Sequence, residues 1–357
     1  MKLVLTLRAR DEADIVDANV AFHLNAGVDF IVATDHRSQD GTREILESYE
    51  RQGHLHLIRE DGPIRGDWFT PMARLAAVEF GADWVINSDA DEFWWPRGGS
   101  LKEVLESVPE RYGIVRALLR QFVPRPEDGS FFADRMVARV VTSAPINDPT
   151  SLFRPNLKSI HRADPDVTLT AGAHTLVDSS FTPLRGWYPV ELLHFPIRSL
   201  EQSERKYSNM STALAESRNS YYVQVRRAFE EGRFAEFHDS LTVDDEALER
   251  GLRDGSLVID TRLQEALRAL RDGGNGRLTF PRPSVVDEAA YAVDVAALGE
   301  AEVVRVQRRL DTLETRLAKL ERRPAFRLLH GFRAAGLLHG FRAAARKVLR
   351  RDRTDVA

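Results

Sequence analysis

Apolar and polar positions change their rhythm repeatedly along residues 1–100. Leu3–Leu7 is a short apolar run, and Asp14–Asn25 carries apolar residues at helical spacing (Ile15, Val16, Ala18, Phe22). Phe30–Ala33 is a second apolar run. Asp40-Gly41-Thr42 opens a helix that continues to about Glu50. Leu55–Ile58 is a third run, Pro71–Phe80 a third helix ended by Gly81, and Trp84–Ile86 a fourth run that stops at Asn87-Ser88-Asp89. Short continuous apolar runs separated by helices predict strands buried on both faces of a parallel sheet. The expected fold class is therefore α/β, a mostly parallel sheet with helices on both faces. Ligands of such sheets bind beyond the carboxyl ends of the strands. The residues after Leu7, Ala33 and Ile86 are thus the first place to look for chemistry.

From Gly113 the pattern shifts to extended runs, Gly113–Leu119, Arg135–Thr142 and Leu192–Phe195, separated by Pro, Gly and Asp. They predict a smaller mixed-sheet half with long loops. Ser199–Ala247 and Arg250–Arg271 read as helical, and Gly273–Pro283 as a loop or linker. Further on, Val303, Val306, Leu310, Leu313, Leu317 and Leu320 alternate spacings of three and four. That is a heptad seam, suited to self-association as a homo-oligomer or to packing within the chain. After Pro324 the segment Leu328–Ala335 recurs as Leu337–Ala344. From Leu337 onward, Leu337, Leu338, Phe341, Val348 and Leu349 share one helical face, and Arg342, Arg346, Lys347, Arg350 and Arg351 the other. A basic amphipathic tail of this kind predicts contact of residues 324–351 with an anionic membrane surface. The expected organisation is a sheet domain over 1–240, a helical extension and linker over 241–297, a short heptad helix over 298–323, and the basic tail over 324–357.

Composition changes this picture in three respects. With 50 Lys and Arg against 54 Asp and Glu, the net charge of −4 excludes a generally basic chain that coats nucleic acid. There is no cysteine, which excludes disulfides and thiolate metal sites, so any metal must sit on oxygen and imidazole ligands. Met1–Arg8 is too short and too soon charged for a secretion signal, and no stretch reaches the ~18 apolar residues of a spanning helix. The expected location is cytoplasmic, with any membrane contact peripheral, on the inner face of the plasma membrane.

Asp-x-Asp occurs twice, as Asp89-Ala90-Asp91 and as Asp164-Pro165-Asp166. The second sits in a polar, Pro-broken stretch and reads as a turn. The first follows an apolar run and continues as Glu92-Phe93-Trp94-Trp95-Pro96. Alternate residues of an extended segment point the same way, so Asp89 and Asp91 face one site. A pair of crowded carboxylates suits a hard divalent cation, Mg²⁺ or Mn²⁺, which also bridges readily to phosphate.

Three motifs, each at a predicted strand end, resemble those of family 2 glycosyltransferases. Thr34-Asp35-His36-Arg37-Ser38-Gln39-Asp40-Gly41-Thr42 resembles their Asp-Asp-x-Ser-x-Asp-Gly-Thr signature. Asn87-Ser88-Asp89-Ala90-Asp91-Glu92-Phe93 resembles their metal motif. Leu7-Arg8-Ala9-Arg10-Asp11-Glu12 resembles the Arg-Asn-Glu opening of one branch. The resemblance is strong over residues 1–100 and weak over 100–200. It implies a GT-A, Rossmann-like fold and a nucleotide-diphosphate sugar donor, with manganese or magnesium as cofactor. Arg8, Asp35 and Asp89 are the donor-binding residues it implies, with Asp35 on the base or ribose and Asp89 near the ribose or sugar; Arg65, in a loop between Gly62 and Gly66, joins them by its own position as a partner for phosphate. Asp89, Asp91 and His194 are the implied metal ligands, His194 because such enzymes often complete the site with a histidine after the sheet. His161 and His174 are further residues of interest for phosphate or acceptor. Asp40 reads as a helix cap and Gly41 as a tight turn. Two positions depart from the family pattern: His36 replaces the second Asp of the signature, and Arg10 replaces the Asn of the opening.

The expected activity is transfer of a sugar to a glycan or lipid-linked acceptor, by an inverting route in the family manner. Such a route needs a carboxylate base. The chain offers Asp128, in Glu127-Asp128, and Asp148, and the base stays unassigned between them and others. Two alternatives stand beside this reading. One is a nucleotide-sugar pyrophosphorylase, which should carry a glycine-rich loop after the first strand, where Arg8–Glu12 has no glycine. The other is a membrane-tethered, non-catalytic scaffold.

Overall fold

The computed structural model describes residues 1–62, 68–141, 151–153, 156–210, 220–273 and 278–321. The predicted alternation holds through the first half. β1 (Leu3–Ala9), α1 (Val16–Asn25), β2 (Phe30–Asp35), α2 (Thr42–Arg51), β3 (Leu55–Arg59), α3 (Phe69–Val78) and β4 (Trp84–Asp89) follow in order. β5 (Glu92–Pro96), α4 (Leu101–Glu106), β6 (Ile114–Gln121), α5 (Phe132–Arg135), β7 (Ala138–Val140), β8 (Leu157–Arg162) and β9 (Val190–His194) complete the sheets, apart from one late strand. The main sheet has eight strands in the order β3-β2-β1-β4-β8-β6-β9-β5. β3, β2, β1 and β4 are mutually parallel. β8 runs antiparallel to β4 and β6, and β5 antiparallel to β9, while β6 and β9 are parallel. A parallel half and a mixed half thus form one mostly parallel, Rossmann-like sheet, the α/β arrangement expected of a GT-A fold.

The two faces of the central strands explain their continuous apolar character. Leu3, Leu5 and Leu7 pack in one core with Val20 and Phe22 of α1 and Leu46 of α2. Val4, Val32 and Val85 pack on the other side with Phe69, Met72, Ala73 and Ala76 of α3. All are buried. Burying a side chain of this size contributes roughly 1.5–3 kcal/mol, so sandwiching each strand between helices stabilises it from both sides. Because β1, β2 and β4 are parallel and in register, their polar ends coincide: Arg8 lies opposite Asp89, and Ala9 opposite Asp35.

The later helices are shorter than the apolar spacing predicts. Helix α6 (Leu200–Asn209) starts at Ser199, whose side chain accepts a hydrogen bond from Gln202 N as an N-cap. Ser220–Glu230 and Phe234–Leu241 are separate helices, divided by Gly232 in the left-handed region at φ 66°. Asp245–Asp254 ends at Gly255, with φ 77°, and β10 (Leu257–Ile259) then pairs antiparallel with β7 before a new helix, Arg262–Arg271. A glycine that admits positive φ at no steric cost stops each helix where amphipathic spacing alone would carry it on. Leu263 and Leu267 of the last helix join the same core as Phe22. A final helix spans Val285–Glu321. The chain groups into one compact unit, Met1–Leu298, and a second from Gly299 onward. Among the described residues no helix is long and apolar enough to cross a membrane. Tail residues 324–351, with the expected membrane contact, lie outside the described residues.

Candidate active site

The loops after β1 and β2 are stitched together before any functional group is placed. Asp11 N donates to Ser38 Oγ (2.9 Å), Gln39 N to Asp11 Oδ1 (2.7 Å), Glu12 N to Thr42 Oγ1 (2.8 Å) and Ala13 N to Asp40 Oδ2 (3.0 Å). Asp40 Oδ1 also accepts from Thr42 N (3.1 Å), the first residue of α2, after Gly41 at φ 100°. Asp11 and Arg37 both sit at positive φ, 54° and 58°, a conformation that costs energy and persists only where bonds on every side fix it.

The turn between β4 and β5 is fixed from below by α1. Asn19 Nδ2 spends both hydrogens on the carbonyls of Ala90 (3.0 Å) and Glu92 (2.7 Å). One turn along, His23 Nε2 accepts from Trp94 N (3.1 Å) while its Nδ1 reaches Asn19 O (2.8 Å). Burial drives His23 down to about 3, so it stays neutral and keeps the lone pair this bond needs. The acidic motif is thereby presented on a rigid support.

Asp35, at the end of β2, is fully buried. Its Oδ2 accepts from Arg43 Nε (2.7 Å), and its Oδ1 has no hydrogen-bond partner among the described residues. A buried carboxylate oxygen without a donor is costly in a finished protein and is explained by a donor that arrives with a ligand. The two departures from the family pattern meet beside it. Arg10 Nη1 donates to His36 Nδ1 (3.2 Å), and His36 Nε2 lies 2.9 Å from Gly62 O. Arginine can only donate, so His36 accepts at Nδ1 and donates from Nε2–H to the carbonyl. The ring lies 4.9 Å from that of Trp68.

At the end of β4, Asp89 receives two cations. Arg8 Nη2 lies 2.6 Å from its Oδ1 and Lys158 Nζ 2.9 Å from its Oδ2. Burial pulls this carboxyl up, but Arg8 and Lys158 outweigh it and hold it down at about 2. Lys158 also reaches Glu92 Oε2 (2.6 Å), which accepts from Asp89 N as well (2.9 Å). Asp91 is paired with Lys206 of α6, Nζ to Oδ2 at 2.6 Å, and its Oδ1 lies 3.7 Å from His194 Nε2. Burial again opposes ionisation of Asp91, and Lys206 followed by His194 carries it well below the usual carboxylate range.

One ligand atom each from Asp91, Glu92 and His194 lies within 4.8 Å of the others. His194 Nδ1 is 2.7 Å from Gln121 Oε1, an acceptor, which turns Nε2 towards Asp91. Two carboxylates and an imidazole so oriented are a donor set that a hard divalent cation fits. Among the expected metal ligands, Asp91 and His194 come together. Glu92, which the sequence offered only as an extension of the motif, joins them, while Asp89 is engaged by Arg8 and Lys158. Three carboxylates (Asp89, Asp91, Glu92) here face three cations (Arg8, Lys158, Lys206). Lys158 and Lys206 had no sequence signal, because each reaches the motif from a distant element.

The remaining expected residues are more dispersed. Asp128 is exposed and accepts from Ser130 N (2.9 Å) within its own turn. His161 is buried and pairs with Val85, the second residue of β4, at the opposite end of that strand from Asp89. His174 contacts Leu157 O at 3.2 Å. Arg65 and Asp148 lie outside the described residues.

Glu12 is a group the sequence placed in a motif without giving it a role. It pairs with the buried Arg198, which also holds Asp14 at 2.6 Å. Burial pushes Glu12 up to about 7, with Arg198 opposing the rise and Asp91 adding to it. Between the ordinary value of 4.5 and 7, the folded chain therefore keeps a proton that the unfolded chain has released. Stability falls as pH rises through that window, by on the order of 3 kcal/mol. Urea unfolding in chelator at pH 5 and pH 7.5 should show the fall, and Glu12→Gln should flatten it. A wild-type profile that rises over the same interval would contradict the assignment.

No protein-family model matches the chain, and no curated protein matches it. Among solved structures it is similar to S. aureus TarS 1–349 in complex with UDP, with 15% identity, a TM-score of 0.32, and 76% of this chain and 92% of that one covered. It is also similar to a longer S. aureus TarS chain, at 14% identity and TM-score 0.31, covering 68% of this chain. This chain spans 44% of that longer one. The mannosyltransferase PcManGT from Pyrobaculum calidifontis, in complex with GDP-Man and Mn²⁺, is similar at 15% identity and TM-score 0.33, with 85% and 86% covered. Likenesses this slight leave the chemistry of the site to its own residues.

Proposed function

We propose that the chain is a glycosyltransferase that takes its sugar from a nucleotide-diphosphate donor and passes it to a glycan or lipid-linked acceptor. The observation that carries this reading is the convergence, at the carboxyl ends of three adjacent parallel strands, of an unpaired buried carboxylate oxygen and a cation-ready acidic cluster. Asp35 would meet the base or ribose through its free Oδ1. Asp91, Glu92 and His194 would hold Mn²⁺ or Mg²⁺, and Asp89 with Arg8 would face the ribose or sugar. When bound, the ion supplies Lewis-acid stabilisation of charge on the leaving diphosphate.

The chain's own residues do the remainder. Lys206 and Lys158 keep Asp91 and Asp89 ionised, so these two carboxylates shed no proton when a cation is accepted, while burial pushes the Glu92 carboxyl up from its ordinary value. Three carboxylates against three cations leave the pocket close to neutral. A divalent ion then tips it positive, the sign that a diphosphate requires. Gln121 fixes the His194 ring, and Asn19 fixes the turn that carries Asp91 and Glu92.

The test is incubation with a panel of nucleotide sugars and Mn²⁺, following release of nucleoside diphosphate. Slow donor hydrolysis that chelator abolishes is expected. Release of pyrophosphate would favour a nucleotidyltransferase, and no turnover of any donor a non-catalytic scaffold. Asp35→Ala should raise the donor KM by about ten- to a hundredfold with little change in kcat, since one charged hydrogen bond is worth about 1.5–3 kcal/mol. An unchanged KM would remove Asp35 from the donor site.

A further inference from the structure

The heptad seam read from the sequence begins at Val303, but the helix that carries it begins at Val285. The same alternation of three and four runs back from Val303 through Gly299 and Ala296 to Val285, and each of these positions is exposed. Val303, Val306, Leu310 and Leu313 are 68%, 59%, 48% and 51% exposed. Within the second unit, Val303 to Leu313 make an apolar stripe about 15 Å long at 1.5 Å per residue. Such a length of uncovered apolar surface marks an interaction site. The helix does not use the stripe to hold itself in place. Among its described side chains the buried ones are Tyr291, Asp294 and Leu298. Tyr291 lies under the Arg97 guanidinium (3.6 Å), and Asp294 pairs with Arg120.

The sequence beside the seam says what covers it. One flanking position of the repeat holds Glu302, Arg309 and Arg316, and the other Gln307, Glu314 and Glu321. In a parallel pair of heptad helices, each first-type position meets the second-type position five residues further along the partner. That brings Arg309 to Glu314 of the partner subunit, and Arg316 to Glu321 of the partner subunit. An antiparallel pair would instead set Arg309 against Arg309 or Arg316 and Glu314 against Glu314 or Glu321, with only Glu302 placed to meet an arginine. We infer that the helix Val285–Glu321 forms a parallel two-stranded coiled coil with a second copy of this chain. The pairing is independent of the chemistry at Asp91.

The absence of cysteine allows a clean test. In the full chain, Leu313→Cys places a thiol on the seam, and Thr315→Cys places one two residues on, off the seam. Under mild oxidation Leu313→Cys should give a covalent dimer and Thr315→Cys at least tenfold less of it. Sedimentation equilibrium at micromolar concentration should give the mass of two chains for the wild type. The double variant Leu310→Asp, Leu313→Asp should give one chain, with the thermal transition of the main unit unchanged. A wild-type monomer, a mass of three or more chains, or equal cross-linking through both cysteines would overturn the inference.

Discussion

Asp91→Asn should lower donor turnover by at least about a hundredfold, the scale seen when one group that stabilises transition-state charge is removed. Asparagine keeps the shape of the side chain and can still accept from Lys206, now 2.6 Å from Oδ2. What it loses is the negative charge. The ammonium of Lys206 would then stand unopposed in the pocket where a divalent cation is to bind, and repulsion adds to the missing ligand. Two measurements read this independently. Nucleoside diphosphate release from the preferred donor gives the kinetic effect. Mn²⁺ binding, followed by the paramagnetic resonance of the free ion, needs no donor at all. Loss of both is the expected result. Turnover within about threefold of wild type, less than 1 kcal/mol of barrier, would show that Asp91 is not where the charge is met.

The second large effect concerns the fold rather than the site. Glu191 on β9 is almost wholly buried and receives Arg97 (2.7 Å), Arg262 (3.1 Å) and Arg120. Asp260 pairs in turn with Arg262 (2.7 Å) and Arg139 (2.8 Å). Burial favours the neutral acid, yet Arg120 and then Arg262 hold the Glu191 carboxyl far below its ordinary value. Removing the shared acid leaves three guanidinium groups with one carboxylate each among the described residues, Glu288 for Arg97, Asp294 for Arg120 and Asp260 for Arg262. Glu191→Ala should therefore cost about 3–5 kcal/mol, the penalty for breaking a buried pair from one side. For a chain of this size that lowers the melting temperature by roughly 10 °C. Glu191→Gln keeps the acceptor oxygen and should cost less. Odd spacing along the strand sends Glu191 and His194 to opposite faces of the sheet, so the donor KM of these variants should stay near wild type. A stability change below about 1 kcal/mol in Glu191→Ala would show that water already screens the network.

Much of this architecture could be read from periodicity. The parallel half follows from apolar runs that need no partner but a helix on each face, and the strand ends then locate Asp35, Asp89 and Asp91. The lysines were invisible because Lys158 and Lys206 meet the motif only through β8 and α6, at sequence distances where no spacing rule applies. Glu92 was underrated because in a strict two-residue alternation it points away from Asp89 and Asp91. In the structure Asp91 lies in the turn between two strands, where alternation lapses. The late helices were overextended because amphipathic spacing continues across Gly232 and Gly255, whose left-handed backbone ends each one. The Glu191 network left no pattern at all: a lone glutamate in an apolar run gives no hint that arginines from three segments converge on it.

The Arg10–His36 bond bears on how likeness between chains is scored. A comparison made column by column treats the Asn-to-Arg and Asp-to-His departures as two separate mismatches, in two separate motifs. Here they are the two ends of a single contact, each making the other chemically reasonable. A profile that assumes independent columns thus counts one contact twice. Chains that carry arginine and histidine together at these two columns would form a recognisable lineage, and the pair is a better search key for them than either residue alone.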